Sequence, residues 1–467
     1  MSETARPDVI QDTGVALAGL RPFYFVVVFW GERFRNYLVD FCIPSLLSPH
    51  NIPVLPPGGR DKFIFCTTAD DWHALAGTKI FGLLKEHIEP YFIEIPPAPS
   101  DRSGCEHMCI GHKLAAQMAY RDKVYGVFLT PDLMVSDGTV RALQLHARAG
   151  YKVVLTAALR FGEEPLFENL KAMGVIQEKH ECSESGSPLV ITGRQMVAAG
   201  LGSFHSETQR YEWDASYFSN FPVACWWRVP EENGIVLHSL SWAPFLCDYG
   251  MVEGHDTSAL DTWTMDGDYV YRNFGNSETA YYVVRDSDEM MLVSWAPLSD
   301  RPQSLALNPL KRLPVIGNVL KGGILRATML SGVFDSLKLR IFFQPVRWHS
   351  RELTARWKET EARAAQVLHC YLWDLESSFQ NIPSETPAKT DSIAPSKLNG
   401  DFRTLLLALL VPVARIWLVV EQLYQSRHRI GMRLRRALCG DREARARIMR
   451  RVVTTWRLIR GTPVRHL

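Results

Sequence analysis

The stretch Tyr125-Gly126-Val127-Phe128-Leu129-Thr130-Pro131-Asp132-Leu133-Met134-Val135-Ser136-Asp137-Gly138 decides how the chain is understood. An apolar run stops in a turn that carries an acid, and an amphipathic pattern with Val140, Leu143 and Leu145 follows. Buried strand, turn and helix in that order are the parts of an α/β unit. In open α/β sheets ligands sit beyond the carboxyl ends of the strands, beside the following loop. A carboxylate there can hold a divalent cation against a substrate phosphate. The plainer role for Asp132 is a turn acid at the start of the next helix. For Asp137, in its Ser-Asp-Gly turn, a structural role is the expectation.

Upstream, Pro22–Trp30 (PFYFVVVFW) is a continuous β-branched and aromatic run, the pattern of a buried first strand ended by Gly31. Apolar residues at helical spacing follow over Glu32–Leu47, then a Pro-rich loop to Gly59. Lys62–Cys66 predicts a second strand, opening into Thr67-Thr68-Ala69-Asp70-Asp71, where Thr or Asp can cap a helix. Tyr91–Ile95 predicts a third strand, Ser103–Arg121 a helix, Val124–Leu129 the fourth strand, 138–149 a helix and Tyr151–Ala157 a fifth strand. Strands alternating with helices imply a mostly parallel sheet covered on both faces.

Downstream, 160–220 has a helical, polar pattern. From 221 to 300 aromatic runs return, and Ile235–His238, Tyr269–Asn273, Tyr281–Arg285 and Met291–Trp295 are expected as strands or strand ends. Leu339–Phe343 (LRIFF) also has a strand-like composition, and 350–378 predicts a long amphipathic helix. The expected division is a leader at 1–20, a catalytic domain at 21–300, an accessory segment at 301–378, a polar Pro/Ser linker at 379–400 and a tail at 401–467.

The chain has 467 residues and a net charge of +2 that conceals an asymmetry. Residues 421–467 hold 13 Arg against 3 acids, a local +10, so the rest sums to −8. A basic tail on an acidic body implies an anionic partner. The tail adjoins Thr404–Val420 (TLLLALLVPVARIWLVV), which is strongly apolar but broken by Pro412 and Arg415. That segment is a poor single span or an interfacial one, and the amphipathic Arg-rich helix after it has the pattern of an interfacial anchor, so a membrane surface is expected rather than nucleic acid. No secretory signal is expected at the N-terminus, and nine scattered Cys suit reduced thiols in a cytoplasmic setting.

The strand 124–129 with Pro131-Asp132 and Val135-Ser136-Asp137-Gly138 resembles the metal-binding corner of glycosyltransferases of the GT-A fold, the nucleotide-diphospho-sugar transferases. Those enzymes carry Asp-x-Asp there; Thr130-Pro131-Asp132 keeps only the second acid. The resemblance covers roughly residues 20–300 and implies an α/β fold with an open, mostly parallel sheet. It implies transfer of a sugar from a nucleotide-sugar donor to a glycan, lipid or protein acceptor, with a divalent cation (Mn or Mg) on the diphosphate. The basic tail would place that reaction at the cytoplasmic face of an inner membrane. By position the nucleoside would meet Trp30, Gly31, Thr67 and Asp70, with Lys113 reaching it from the helix before the key strand. The metal would take Asp132 with His238 or His255, and Asp266 or Asp268 would act as the catalytic base.

Residue chemistry alone adds three observations. Acids and histidines crowd between aromatic strands from 238 to 268, which suits a site because unpaired buried carboxylates are costly. The run Cys105-Glu-His-Met-Cys109-Ile-Gly-His112 contains zinc-ligand types, but on one helix, so buried thiols are expected instead. Asp286-Ser-Asp288-Glu289 is expected to be a solvated turn. The alternative function is a catalytically silent module that binds a glycan or partner, supported by the missing first acid. A nucleotidyltransferase would need a Gly-rich basic loop after the first strand, where this chain has WGERFRN.

Overall fold

The structure, a computed structural model, describes residues 19–99, 103–176, 186–261, 264–265, 267–305, 307–330 and 336–379. Its strands are β1 (Phe23–Val28), β2 (Lys62–Thr67), β3 (Glu89–Glu94), β4 (Tyr125–Leu129), β5 (Leu133–Val135), β6 (Val153–Ala157) and β7 (Arg160–Gly162). They continue with β8 (Ala224–Val229), β9 (Gly234–Ser239), β10 (Trp242–Asp248), β11 (Tyr281–Val283), β12 (Leu292–Ala296) and β13 (Val346–His349).

The main sheet has seven strands in the order β3-β2-β1-β4-β10-β6-β11. All pairings are parallel except those of β10, which runs antiparallel between β4 and β6. β1 is buried along its whole length because both faces of the sheet are covered. Tyr24, Val26 and Val28 face one apolar layer, while Phe23, Phe25 and Val27 face the other. This is the mixed α/β class with a large, mostly parallel sheet, compatible with the GT-A architecture.

Two small sheets extend it. β12 joins β5 to β7, and β9 joins β13 to β8. β5 begins directly after Asp132, so the acid corner leads from the main sheet into the first of these. β13 pairs antiparallel with β9, and the helix Ala355–Phe379 packs over β8 and β9 around Trp213, Trp227, Leu368 and Leu372.

Four expectations change. Tyr269–Asn273 lies in a helix, Gly267–Phe274, and Leu339–Phe343 in another, Ser336–Phe343. In the first, Tyr269, Val270 and Phe274 are buried on one helical face, so aromatic content imitates a strand while the spacing is helical. The polar span 160–220 contains β7 besides its helices. The helix after Gly31 is interrupted, with a π-helical turn at Leu38–Cys42 between Glu32–Tyr37 and Ile43–Leu46. Among the described residues no helix is long and apolar enough to cross a membrane. The 404–420 segment, the linker and the Arg-rich tail lie outside the described residues.

Candidate active site at the carboxyl edge of the main sheet

β1 continues to β2 on one side, while β4 lies on the other, so the loops after β1 and β4 part company. That is a topological switch point, where an open α/β sheet leaves a crevice for a ligand. Trp30 and Gly31 follow β1, Thr67 closes β2, and Asp132 follows β4, so these four expected site residues share one edge.

Gly31 has φ +81° and ψ 154°, a conformation essentially confined to glycine. Its N–H donates to Asp71 Oδ2 at 2.8 Å, Arg35 Nη1 donates to Asp71 Oδ1 at 2.6 Å, and Thr68 Oγ1 donates to Asp71 Oδ2 at 2.9 Å. The buried Asp71 therefore ties the loop after β1 to the loop after β2. Asp70, the expected binding residue, points to solvent. Thr67 is fully buried, and its hydroxyl has no hydrogen-bond partner among the described residues. Trp30 stands edge-on to His107, 4.7 Å between ring centres, against the first turn of the helix Gly104–Asp122. Lys113, further along that helix, is paired with Asp261 at 2.5 Å.

Asp132 is half-buried, and no described residue gives its carboxylate a hydrogen bond or ion pair. Its charge is felt by Cys42, whose thiol is pushed up by burial first and by Asp132 second. A partly desolvated carboxylate free of protein cations at a switch point is a group available to a ligand.

A second cluster lies on the same edge. β11 is parallel to β6, so Asp286, three residues past β11, is also beyond a carboxyl end. β10 and β6 separate β11 from β4, so the two acids lie past strands that are not neighbours in the sheet. Asp286, Asp288 and His349 offer one ligand atom each, all within 4.8 Å of one another. His349, fully buried on β13, places Nδ1 2.7 Å from the Arg351 carbonyl, which receives its proton. Nε2 is then 3.0 Å from Asp286 Oδ1 and 3.4 Å from Asp288 Oδ2. A ring nitrogen fixed by a backbone carbonyl behind it is the usual support of a metal-ligating histidine.

Two arginines hold the same acids. Arg347 Nη2 lies 3.3 Å from Asp286, and Arg194 grips Asp288 at 2.9 Å while also reaching Glu352 at 2.6 Å. Burial lowers the His349 pKa, but hydrogen bonds to Asp286 and the Arg351 carbonyl outweigh it and leave the group above its ordinary value. Burial raises Asp286, and His349 with the Asp288 N–H and Arg347 brings it below the ordinary value. One imidazole, two carboxylates and a carbonyl behind the ring are ligand types that could hold a divalent cation, and Arg347 Nη2 also stands 3.1 Å from His349 Nε2 at the same place. A narrow cleft beside Asp286 is lined by Thr156, Val284, Met290 and Trp348, and the Thr156 hydroxyl is buried with no partner among the described residues.

The expected metal set is not assembled. His238 is buried in the core of the β8–β9–β13 side, edge-on to Trp227 at 5.9 Å, with Nδ1 2.9 Å from the Phe342 carbonyl. Burial lowers its pKa to about 4. His255 follows β10, whose end pairs with the start of β4, so it sits at the amino edge, opposite Asp132. There it stacks on Tyr120 and bonds the Tyr269 hydroxyl at 2.7 Å. Asp268 starts the helix Gly267–Phe274 and pairs with Lys338 at 2.8 Å. Asp266 lies outside the described residues. In sequence Asp71 reads only as part of a capping stretch and Asp286–Glu289 only as a solvated turn, whereas the structure joins Asp71 to Gly31 and Arg35 and brings Asp286 and Asp288 to His349. The Asp-x-Asp spacing at 286–288 after a predicted strand was the available signal.

No family model matches the chain, and no curated protein matches it in sequence. Among solved structures it is similar to mouse xyloside xylosyltransferase 1 in its apo form, at 11% identity and a TM-score of 0.23, over 32% of this chain and 58% of that one. It is also similar to a Bacillus anthracis protein assigned as a glucose-1-phosphate thymidylyltransferase, in complex with sucrose, at 11% identity and a TM-score of 0.18. That match covers 31% of this chain and 57% of the other. The chain thus spans less than two thirds of either structure, and likenesses this distant add nothing to the argument from the site.

Proposed function

We propose that the chain is a transferase that uses a nucleotide-linked sugar, with the nucleotide held in the crevice between the loops after β1 and β4. One observation carries this: the switch point brings to one edge Gly31 and two groups with no partner among the described residues, the Thr67 hydroxyl and the Asp132 carboxylate. Trp30 offers an aromatic face beside them.

The chain offers a cation two places. Asp132 supplies a single carboxylate and would need substrate phosphates and water to complete a shell, as magnesium sites commonly do. Asp286, Asp288 and His349 supply three donors without substrate. A cation on the diphosphate neutralises charge that builds on the leaving group. The protein's own part is to orient the donor by the Gly31 loop, which Asp71 and Arg35 hold rigid. The acceptor, a glycan, lipid or protein, would approach from the open side of the crevice. The apolar segment and Arg-rich tail support a reaction at the cytoplasmic face of a membrane.

A second reading has specific support. Arg194 and Arg347 already neutralise the triad, and Thr130 stands where a first acid would be expected, as in a silent module that binds without turnover. The test is release of nucleoside diphosphate from a panel of nucleotide sugars, with and without manganese. The transferase reading expects one base class to be consumed, with Asp132→Asn slower by roughly 10²-fold. Binding of the same nucleotides with no release would establish the silent module.

A further inference from the structure

We infer that the segment 307–316 is a membrane-inserting tip of the folded body, and that its partner is an anionic lipid bilayer. The inference is independent of the sugar-transfer proposal. Five large aliphatic side chains stand out of the surface within ten residues: Leu307 is 60% exposed, Leu310 54%, Leu313 44%, Val315 75% and Ile316 53%. Scattered exposed aliphatics are ordinary, but a contiguous group on a soluble surface marks a contact site.

The local architecture presents them firmly. Two helices, Pro309–Arg312 and Pro314–Thr328, each begin with proline, whose fixed φ suits a first helical position. Lys311 is turned inward, with Nζ 2.5 Å from the Phe218 carbonyl and 2.8 Å from Asn220 Oδ1. Asn308 N–H bonds the Ser216 carbonyl at 3.2 Å. Polar groups of the tip thus anchor it to the loop before β8, while its aliphatic groups remain outside.

Charge selects the partner. Between Asp300 and Asp335 the sequence contains no acid, but it has Arg301, Lys311, Arg312, Lys321 and Arg326. Lys311 and Lys321 are buried, while Arg312, within the aliphatic group, and Arg301, before it in the chain, are exposed. Aliphatic residues that enter the acyl boundary, flanked by arginines that meet lipid phosphates, are the composition of an interfacial anchor. A protein partner's apolar face would not account for the absence of acids over this span.

The test uses the full chain with vesicles of phosphatidylcholine, alone or mixed with phosphatidylglycerol. Hydrogen exchange of residues 307–320 should slow on the mixed vesicles. Val315→Asp/Ile316→Asp, placed where burial is least, should reduce co-sedimentation with them by about tenfold, leaving the contribution of the Arg-rich tail. Three results would overturn the inference. Vesicle binding could be unchanged in the variant, with protection confined to the tail. The tip could already be protected without vesicles, meaning that the chain's own 404–420 segment covers it. The variant could alter only the oligomeric state, meaning that a second copy does.

Discussion

Gly31 shows how much one residue carries. A methyl group added there would meet nothing within 4 Å, so space is not the obstacle. The obstacle is the backbone at φ +81°, and Gly31→Ala is expected to cost about 1–3 kcal/mol in urea denaturation. Asp71 is only half legible: the capping role of the Thr68–Asp71 stretch is evident in sequence, but position alone points to Asp70 as the binding residue. One residue turns a helix by about 100°, which sends Asp70 outward and Asp71 into the Gly31–Arg35–Thr68 network. The triad was hidden because His349 is 63 residues from Asp286 and shares no local pattern with it. Its pH behaviour is testable in the presence of a chelator. His349 sits above its ordinary value of 6.5, so its contribution is complete below that pH and is lost as pH rises through the folded value. Asp286 sits below its ordinary 3.8, so its contribution is present above that pH and is lost on acidification. The gap in Tm between the wild type and Asp286→Asn should therefore be largest between these two values and should shrink toward pH 9. A gap that widens with rising pH would contradict the pairing.

At the scale of elements, the helix Gly104–Asp122 packs over the carboxyl ends of β1 and β2. Its start is fixed by a capping box in which the Ser103 hydroxyl accepts from the Glu106 N–H and the Glu106 carboxylate accepts from Ser103 N–H. Its height over the sheet is fixed by Gly111, where an added Cβ would lie 2.7 Å from Val28 Cγ1 and 2.8 Å from Cys66 Cβ. Gly111→Ala is expected to lift the helix and cost about 1–3 kcal/mol. Val28→Ala should recover part of that loss in a double-mutant cycle read by denaturant titration. Additive single effects would show that the helix does not rest on β1 at this point. The strands of the first half were legible because their burial on both faces makes long apolar runs that nothing else imitates. Tyr269–Asn273 and Leu339–Phe343 were not, since a short run of aromatic and branched residues serves a buried helix face as well as a strand.

For the whole molecule, sequence order conveyed an α/β chain but not the placement of β10, the antiparallel strand between β4 and β6. Pairing between distant segments has no local signature. Yet β10 decides the fate of the acids and histidine that follow it, from 248 to 268, because it carries the chain from the carboxyl edge back to the amino edge. His255 ends there, while Asp132 and the triad remain on the other side. The carboxyl edge, with its switch point, is therefore the central claim. Its most direct test is calorimetric titration of the full chain with uridine, guanosine, adenosine, cytidine and thymidine diphosphates in manganese, repeated on Asp132→Asn and Asp286→Asn. The account predicts that one base binds the wild type, that Asp132→Asn loses at least about tenfold in affinity, and that Asp286→Asn weakens manganese binding in the absence of nucleotide. No heat with any nucleotide from a folded protein, or equal affinity in Asp132→Asn, would contradict it.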